Sequence, residues 1–576
     1  MNISDYKNLN HNGAQTSAIN HLSGPALVLA GPGSGKTTVI ISRLKLLSER
    51  LGNPERLISV TFNRTAALEM KTRYKMNHIE TNKVVKFPHF STIHSLCYKI
   101  IKSTKETEIF QLIEDTNNTI NPKQILDYIH REINGNRVTI SDLDQILSWI
   151  SRSRNKIKQD KPLDFEPQVR NFTKIYNAYE AYKKAHNYMD YDDLIFKTAE
   201  ILTKNNRIKE FWNQKFDYIQ VDEGQDLSMV QFQIIKLICA NANVFVVADD
   251  DQSIYGFRGA DPSCILQIEN YYPTCVKYYL ERNYRSEKTI VDLSCKIVEN
   301  NTIRYVKKLY SEKNGTGKIL FRHFSKGFYQ SKYICEEIVS SKCGSEIGIL
   351  YRNNISALII AVLLCKIGHP FKIAGGSKNL VTHWMITDFL KSLNSLYNDL
   401  RIFFVTKNLE YIYNKISKAG FFENCYTYCE NSGQDGRIVN GLSEFLFAIC
   451  HISFDNAEAL SLLSQMKSAF ESGVYDGWTS GSVHNTKSII TLTTIHSAKG
   501  LEYETVFLID LMKDEFPGRS SNTGHLLEEE RRLFYVGITR AKKNLYFTYP
   551  ELSLIHIYTR IFIEKIFPGN KLNRCF

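Results

Sequence analysis

The sequence predicts an α/β protein built on a parallel sheet with helices between its strands. The first observation behind this is ALVLAGPGSGKTTVI, residues 26–40, a short apolar run that breaks into glycines and a lysine and then resumes with helical spacing. The second and third are FDYIQVDEGQD at 216–226 and NVFVVADDDQSIYGFRGAD at 243–261, two more apolar strands that run into carboxylates and a glutamine. Three strands ending in groups suited to phosphate chemistry imply a parallel sheet with its site along the carboxyl ends.

Length and composition bound the rest. At 576 residues the chain is too long for one ordinary domain, and about 150 residues per domain gives three or four. Hydrophobic residues at 43% and charged residues at 23% suit a globular protein with several cores. Net charge is +12, from 72 Lys and Arg against 60 Asp and Glu, which permits a polyanionic partner without requiring one. The twelve cysteines are scattered with no C-x-x-C pair. Cys425 and Cys429 therefore read as buried thiols, not metal ligands, and the pattern suits a reducing cytoplasm. The segment MNISDYKNLN has no apolar core of a secretory signal. ISALIIAVLLC at 355–365 is too short to span a bilayer and reads as a core helix. The expectation is a soluble, cytoplasmic chain with no membrane partner.

Residues 26–30 form a buried-strand candidate, and Val39, Ile40, Leu44 and Leu47 then recur at helical spacing. Between them Ala30, Gly31, Pro32, Gly33, Ser34, Gly35, Lys36 and Thr37 fit a phosphate-binding loop, with Ala30 in the first glycine position. Gly33 and Gly35 let backbone N–H groups turn inward around a β-phosphate. Lys36 supplies a point charge to the β- and γ-phosphates, and Thr37 offers a hydroxyl to Mg²⁺. Hydrolysis needs a second strand end with carboxylates. Asp222 is placed to hold Mg²⁺, and Glu223 to orient and deprotonate the attacking water. On the third strand Asp249, Asp250 and Asp251 precede Gln252, whose amide is placed to contact a γ-phosphate.

These three motifs, in this order and with several later stretches of the chain, resemble the UvrD/Rep family of superfamily 1A DNA helicases over nearly the whole length. VDEGQD and VADDDQSIYGFRGAD look like two family motifs; ERNYRSEKTI, IGILYRNN, TLTTIHSAKGLEYETVFLI and EEERRLFYVGITRAKKNL look like four more. HSAKGLE succeeded by YVGITRA is the most specific part. The resemblance implies two RecA-like P-loop NTPase motor domains with parallel sheets, each carrying a helical insertion. Carried onto this chain, the first motor is 1–95 with 195–280, interrupted by 96–194. The second is 281–383 with 488–576, interrupted by a short insertion at 384–487. The sequence itself reads helical over 99–188 and 384–480.

The resemblance also assigns roles that the residues alone do not. Gln15 matches a glutamine that reads adenine, Tyr284 an aromatic stacked on that base, and Glu502 an acidic group near the ribose. Arg285 and Arg540 match two arginines that reach the γ-phosphate, a task suited to an always-charged, forked guanidinium. Thr38 stands where relatives usually carry an arginine packed on the base, so selectivity for ATP is expected to be looser than usual.

Single strands are held by aromatic stacking along a basic track. At positions where the family stacks bases stand Phe62, Tyr191, Tyr255 and Phe257. Thr61, Asn63, Arg64, His94 and Arg258 are the polar and phosphate contacts the resemblance implies. ISRSRNKIKQDK at 150–161 adds Arg152, Arg154, Lys156 and Lys158 as a further candidate contact to DNA. Beyond the TRA motif, TRIFIEKIF reads as a closing helix, with Ile561, Phe562 and Ile566 on one face. The resemblance implies a hairpin here with an aromatic pin that wedges the duplex apart. The connecting stretch is shorter than relatives usually have, leaving His556 or Tyr558 for that pin, so strong single-strand movement with weak unwinding is expected.

Two function classes stay open. One is an ATP- and Mg²⁺-dependent 3′-to-5′ translocase and helicase on single-stranded and tailed duplex DNA, in repair or a related pathway. The other is a DNA-stimulated ATPase serving as motor or regulatory subunit of a partner nuclease in an anti-phage complex, since compact relatives of this kind occur in systems such as Gabija. A non-hydrolysing DNA binder is disfavoured because Lys36, Asp222, Glu223, Gln252, Arg285 and Arg540 are all present.

Overall fold

A computed structural model describes residues 11–76, 86–104, 110–113, 121–135, 138, 140–157, 169–239, 243–256, 259–340, 345–375, 381, 383–397, 409–431, 437–477, 489–512, 515–518 and 524–550. The chain divides into two compact units, residues 1–285 with 302–310, and residues 286–301 with 311–576. The first unit thus takes back nine residues, 302–310, from a stretch whose two flanks belong to the second.

The main sheet of the first unit consists of β1 (Ala26–Ala30), β2 (Leu57–Thr61), β3 (His89–Thr92), β4 (Tyr218–Val221), β5 (Asn243–Ala248) and β6 (Val276–Leu280). They lie in the order β3-β2-β4-β5-β1-β6, every pairing parallel. β1 is buried throughout because both faces of the sheet are covered. Its alternating side chains divide between two cores: Leu27 and Leu29 enter one, Ala26, Val28 and Ala30 the other. Helix Lys36–Leu51 buries Val39, Ile40, Leu44 and Leu47 in the second of these cores and stops at Gly52, whose positive φ of 63° ends the helix. Helices Pro122–Asn134, Ile140–Ile157 and Phe172–Ala185 share a separate core of Ile125, Leu126, Ile129, Ile146, Ile150, Ile175 and Tyr179.

The second unit is also α/β. Its main sheet consists of β7 (Lys318–Phe324), β8 (Glu346–Tyr351), β9 (Phe371–Ala374), β10 (Val474–Tyr475), β11 (Ile489–Thr494), β12 (Tyr503–Leu508) and β13 (Ala541–Pro550). Their order is β7-β13-β12-β8-β11-β9-β10, parallel except where β10 closes antiparallel on β9. Helix Ala357–Lys366 has every residue from Ala357 to Cys365 buried, as its unbroken apolar sequence requires. It packs in one continuous core with sheet residues Ile347, Ile349 and Ile490 and with helices Trp384–Tyr397, Leu409–Lys418, Arg437–Ile452 and Asn456–Ser472. The helical stretch of this unit therefore shares the sheet's core, unlike the separately cored helices of the first. Cys425 and Cys429 are buried free thiols. Among the described residues, no helix is long and apolar enough to cross a membrane.

Candidate functional site

The phosphate-loop candidate leaves β1 at Ala30 and enters helix Lys36–Leu51 at its first turn. Gly33 and Gly35 take positive φ of 67° and 85°, a region costly for residues with a Cβ. Space also demands glycine: a Cβ on Gly33 would stand 2.6 Å from Arg285 Cβ, and one on Gly35 2.8 Å from Gln15 Nε2. The loop is braced from both sides. Gln15 Nε2 donates to the Ser34 carbonyl at 2.9 Å, and Ser34 Oγ donates to the Gly31 carbonyl at 2.7 Å. Asn283 Nδ2 donates to the Pro32 carbonyl at 2.7 Å, and the Tyr284 N–H to the Gly33 carbonyl at 2.9 Å. Asn12 caps helix Gly13–Ile19 in a reciprocal box with Gln15, and its Nδ2 donates to Tyr284 Oη at 2.8 Å. Gln15, Tyr284 and the loop are thus joined by hydrogen bonds, with Tyr284 partly exposed. Arg285 comes next, its N–H donating to Asn283 Oδ1 at 2.8 Å. Thr37 and Thr38 lie half-buried in the first turn of the helix.

The carboxylates stand at the ends of β4 and β5, in the same sheet. Asp222 is buried, its N–H extending the strand pairing to the Val60 carbonyl at 2.9 Å. Glu223 sits at φ 53°, a strained region for a residue with a side chain. Gln225 Nε2 donates to Glu223 Oε2, and Gln225 Oε1 accepts the Asp249 N–H at 2.9 Å. Asp249 Oδ2 in turn accepts from Gln252 Nε2 at 2.6 Å and lies 3.7 Å from Lys36 Nζ. A run of polar contacts therefore joins the ends of β1, β4 and β5, linking Lys36, Asp249, Gln252, Gln225 and Glu223.

Asp249, Asp250 and Asp251 are close enough to hold a metal ion, but a cation already stands among them. Lys307 Nζ, fully buried, lies 2.9, 2.6 and 2.8 Å from the three carboxylates. Burial would lower the lysine's pKa; Asp249, Asp251 and Asp250 together raise it well above the ordinary value. Burial would likewise raise Asp249, but Lys307 and Lys36 hold it below the usual carboxylate range.

In the second unit, Arg540 is buried at the start of β13. Its guanidinium donates to the carbonyls of Val536 at 2.9 Å and Leu501 at 3.2 Å and to Thr539 Oγ1 at 3.0 Å. Glu502 is exposed and pairs with Lys542 at 3.0 Å.

Of the nucleic-acid candidates, Phe62 and His94 lie just past β2 and β3, and Tyr255 comes from the loop after β5. Phe62 stacks on Tyr255 with centroids 5.0 Å apart and planes at 15°. His94 meets Tyr191 edge-on at 5.2 Å, and Arg64 Nη2 donates to Tyr191 Oη at 3.3 Å. Asn63 Oδ1 caps the next helix by accepting from Ala66 N at 2.7 Å. Thr61 is buried at the end of β2, its hydroxyl without a hydrogen-bond partner among the described residues. Phe257, Arg258 and Lys158 lie outside the described residues, as do His556, Tyr558 and the expected closing helix beyond residue 550.

Arg154 requires a correction. Expected from sequence to contact DNA, it is 5% exposed and donates to Glu180 at 2.7 Å, Asp190 at 2.9 Å and Asp193 at 2.6 Å. An arginine committed to three carboxylates is a structural brace, and Arg152 beside it is half-buried. Three residues without an assigned role in the sequence belong to the site: Lys307, Asn283, and Gly224, where a Cβ would stand 2.5 Å from Val246 Cγ1. Only the glycine carried a signal, standing between the carboxylate pair and Gln225.

A six-stranded parallel sheet with a glycine–lysine loop after one strand and carboxylates after two others defines a P-loop nucleoside triphosphatase. A family model described as the UvrD/REP helicase N-terminal domain matches residues 11–273, and one for the UvrD-like helicase C-terminal domain matches 278–422 and 479–551. The chain belongs to the UvrD/REP helicase family. It is similar to the ATP-dependent DNA helicase PcrA of Staphylococcus epidermidis RP62A, 28% identical over 618 residues that cover 94% of this chain and 83% of the relative. The ATP-dependent DNA helicase PcrA of Staphylococcus aureus Mu50 is 28% identical over 628 residues, with the same coverage of each chain.

Proposed function

We propose that this chain is an ATP-driven motor that moves 3′ to 5′ along single-stranded DNA and separates strands at a duplex junction. One observation carries the reading: Lys36, Glu223 and Gln252 are joined through Gln225 and Asp249 beyond the ends of β1, β4 and β5, and the same sheet carries the Phe62–Tyr255 and His94–Tyr191 pairs, Phe62 beyond β2 and His94 beyond β3. Phosphate chemistry and base stacking on one rigid sheet is the arrangement a translocase needs. In this reading 1–95 with 195–280 and 281–383 with 488–576 are the two motor domains, and 96–194 and 384–487 their insertions.

Each proposed role rests on the geometry or the motif. The loop N–H groups and Lys36 hold the phosphates, while Gln15 and Tyr284 frame the base. Thr37 and Asp222 offer a hydroxyl and a carboxylate, oxygen donors that fit Mg²⁺; the ion, when bound, offsets phosphate charge. Glu223, its carboxylate oriented by Gln225, takes the proton from the attacking water. Gln252 contacts the γ-phosphate, as does Arg285. Arg540 and Glu502 belong to the second unit and enter the proposal from their motifs alone.

Polarity is tested by displacement of streptavidin from oligonucleotides biotinylated at one end. Clearing the 5′ end much faster than the 3′ end is the expected result, and the reverse preference would overturn the direction. ATP turnover should rise severalfold or more with single-stranded DNA, and affinity should fall steeply between about 50 and 200 mM salt, as counterion release requires. Phe62→Ala should remove most of that stimulation while sparing basal hydrolysis, because stacking contributes about 1–3 kcal/mol per base. Equal loss of both activities would make Phe62 a packing residue only.

A further inference from the structure

We propose that Lys307 is a positioning residue for nucleotide hydrolysis: it sets the charge left on Asp249, and through Asp249 the placement of Lys36 and Gln252. The inference rests on the reading that Lys36 and Gln252 handle phosphate. It concerns the segment 302–310, which packs on the first unit.

Three consecutive aspartates at the end of β5 are fully buried, and like charges so placed persist only when paired. Among the described residues, three cations meet them. Lys307 contacts all three carboxylates, Arg304 forks onto Asp251 at 2.8 and 2.9 Å, and Lys36 lies 3.7 Å from Asp249. Three negative and three positive charges balance. The backbone of the segment joins in, with the Tyr305 N–H donating to Asp250 Oδ2 at 2.6 Å. Two residues beyond the lysine, the Leu309 side chain occupies the place a Cβ on Gly31 would take, so the same segment lies against the phosphate loop.

The division of Asp249 is the decisive detail. Its Oδ1 accepts from Lys307 at 2.9 Å, while its Oδ2 serves Gln252 at 2.6 Å and Lys36 at 3.7 Å. At 3.7 Å the Lys36 pairing is loose, leaving the ammonium available to a phosphate. Without Lys307 the cluster carries one surplus negative charge. Lys36 is then drawn onto Asp249 and competes poorly for phosphate, and Gln252 loses a fixed anchor. Lys307 acts through its neighbours, its ammonium being committed to the three carboxylates.

The test is steady-state ATP hydrolysis by the full chain, with thermal melts to monitor folding. Lys307→Met should lower kcat by about 10- to 100-fold, the scale of a displaced catalytic group, with a smaller rise in KM. Asp250→Asn removes one carboxylate, whose oxygens meet Lys307 and the Tyr305 N–H. The double variant K307M/D250N therefore restores two charges against two, and should recover most of the lost kcat. A purely packing role for the lysine would not respond to removal of a neighbouring charge. Wild-type kcat in K307M, or a folded K307M that D250N fails to rescue, would overturn the proposal. Should K307M alone not fold, the balanced double variant is expected to fold and turn over ATP; an unfolded or inactive double variant overturns it equally. Absence of ATPase activity in the unmodified chain would instead overturn the underlying functional reading.

Discussion

Glu223→Gln should lower ATP turnover by about 10²- to 10⁴-fold, the usual contribution of a positioned general base, and leave ATP binding nearly intact. The residue is held at φ 53°, a conformation that the chain supports by continuing the β4 pairing through Asp222 and by the Gln225 contact. Glutamine is isosteric and keeps an oxygen to accept from Gln225 Nε2, so the turn and the neighbouring Asp249–Gln252 contact should persist. What disappears is the ability to take a proton. The variant should therefore bind ATP and stay on single-stranded DNA without cycling. Lys36→Ala is the informative contrast: it removes positive charge from the phosphates and should weaken binding and turnover together. Single-turnover phosphate release and equilibrium nucleotide binding separate the two. Near-wild-type release from E223Q would remove Glu223 from the role of base.

The parts of this site that were legible in the sequence are those whose signal is local. ALVLA running into GPGSGK is a strand, a turn and a helix start within 11 residues, and the structure buries that strand between two cores with its side chains alternating. The same holds for Asp222 and for Asp249 to Gln252, each at the end of an apolar run. The aromatics Phe62 and Tyr255 were legible only through the resemblance, since nothing near either residue says that β2 and β5 deliver them to one stack. The cations were the hardest. Lys307 in VKKLYSEK carries no local signal and Arg154 in SRSRNK reads as a contact to DNA, because hydrophobic periodicity reports which face of an element is apolar and is silent on which charge is drawn inward. Their partners are remote: Asp250 is 57 residues from Lys307, and Asp190 is 36 from Arg154. A buried ion pair is a tertiary fact.

Arg154→Met is expected to destabilise the helices of the first unit by about 3–5 kcal/mol, the cost of removing one partner from a buried ionic cluster. Arg154 and Lys183 face Glu180, Asp190 and Asp193, with Lys183 Nζ 2.6 Å from Asp190 and 2.8 Å from Asp193. Without the arginine, one lysine is left to oppose these carboxylates. The damage should travel to the proposed DNA contacts, because Asp190 is the N-cap of helix Tyr191–Lys204, in a reciprocal box with Asp193. Tyr191 is that helix's first residue. Stimulation by single-stranded DNA should fall accordingly. Basal hydrolysis should fall less: β1, β4 and β5 share a core with Leu194, Ile195 and Leu202 of this helix, but not with helices Pro122–Asn134, Ile140–Ile157 and Phe172–Ala185. The pH dependence distinguishes charge from packing. Burial would raise the pKa of Asp190, but Arg154 and Lys183 outweigh it and hold the folded value below the ordinary one. A depressed carboxylate stabilises the fold fully above its unfolded pKa, about 3.9, and loses that contribution as pH falls towards the folded value. The gap between wild type and variant should thus be widest near neutrality and shrink below about pH 4. Because a chain with two compact units need not unfold in one step, the measurement is hydrogen exchange of the helix 191–204 amides, which reports local opening. A gap of equal size at neutral and at acid pH would assign the loss to methionine packing, and no gap at neutrality would show that the buried arginine does not brace this helix.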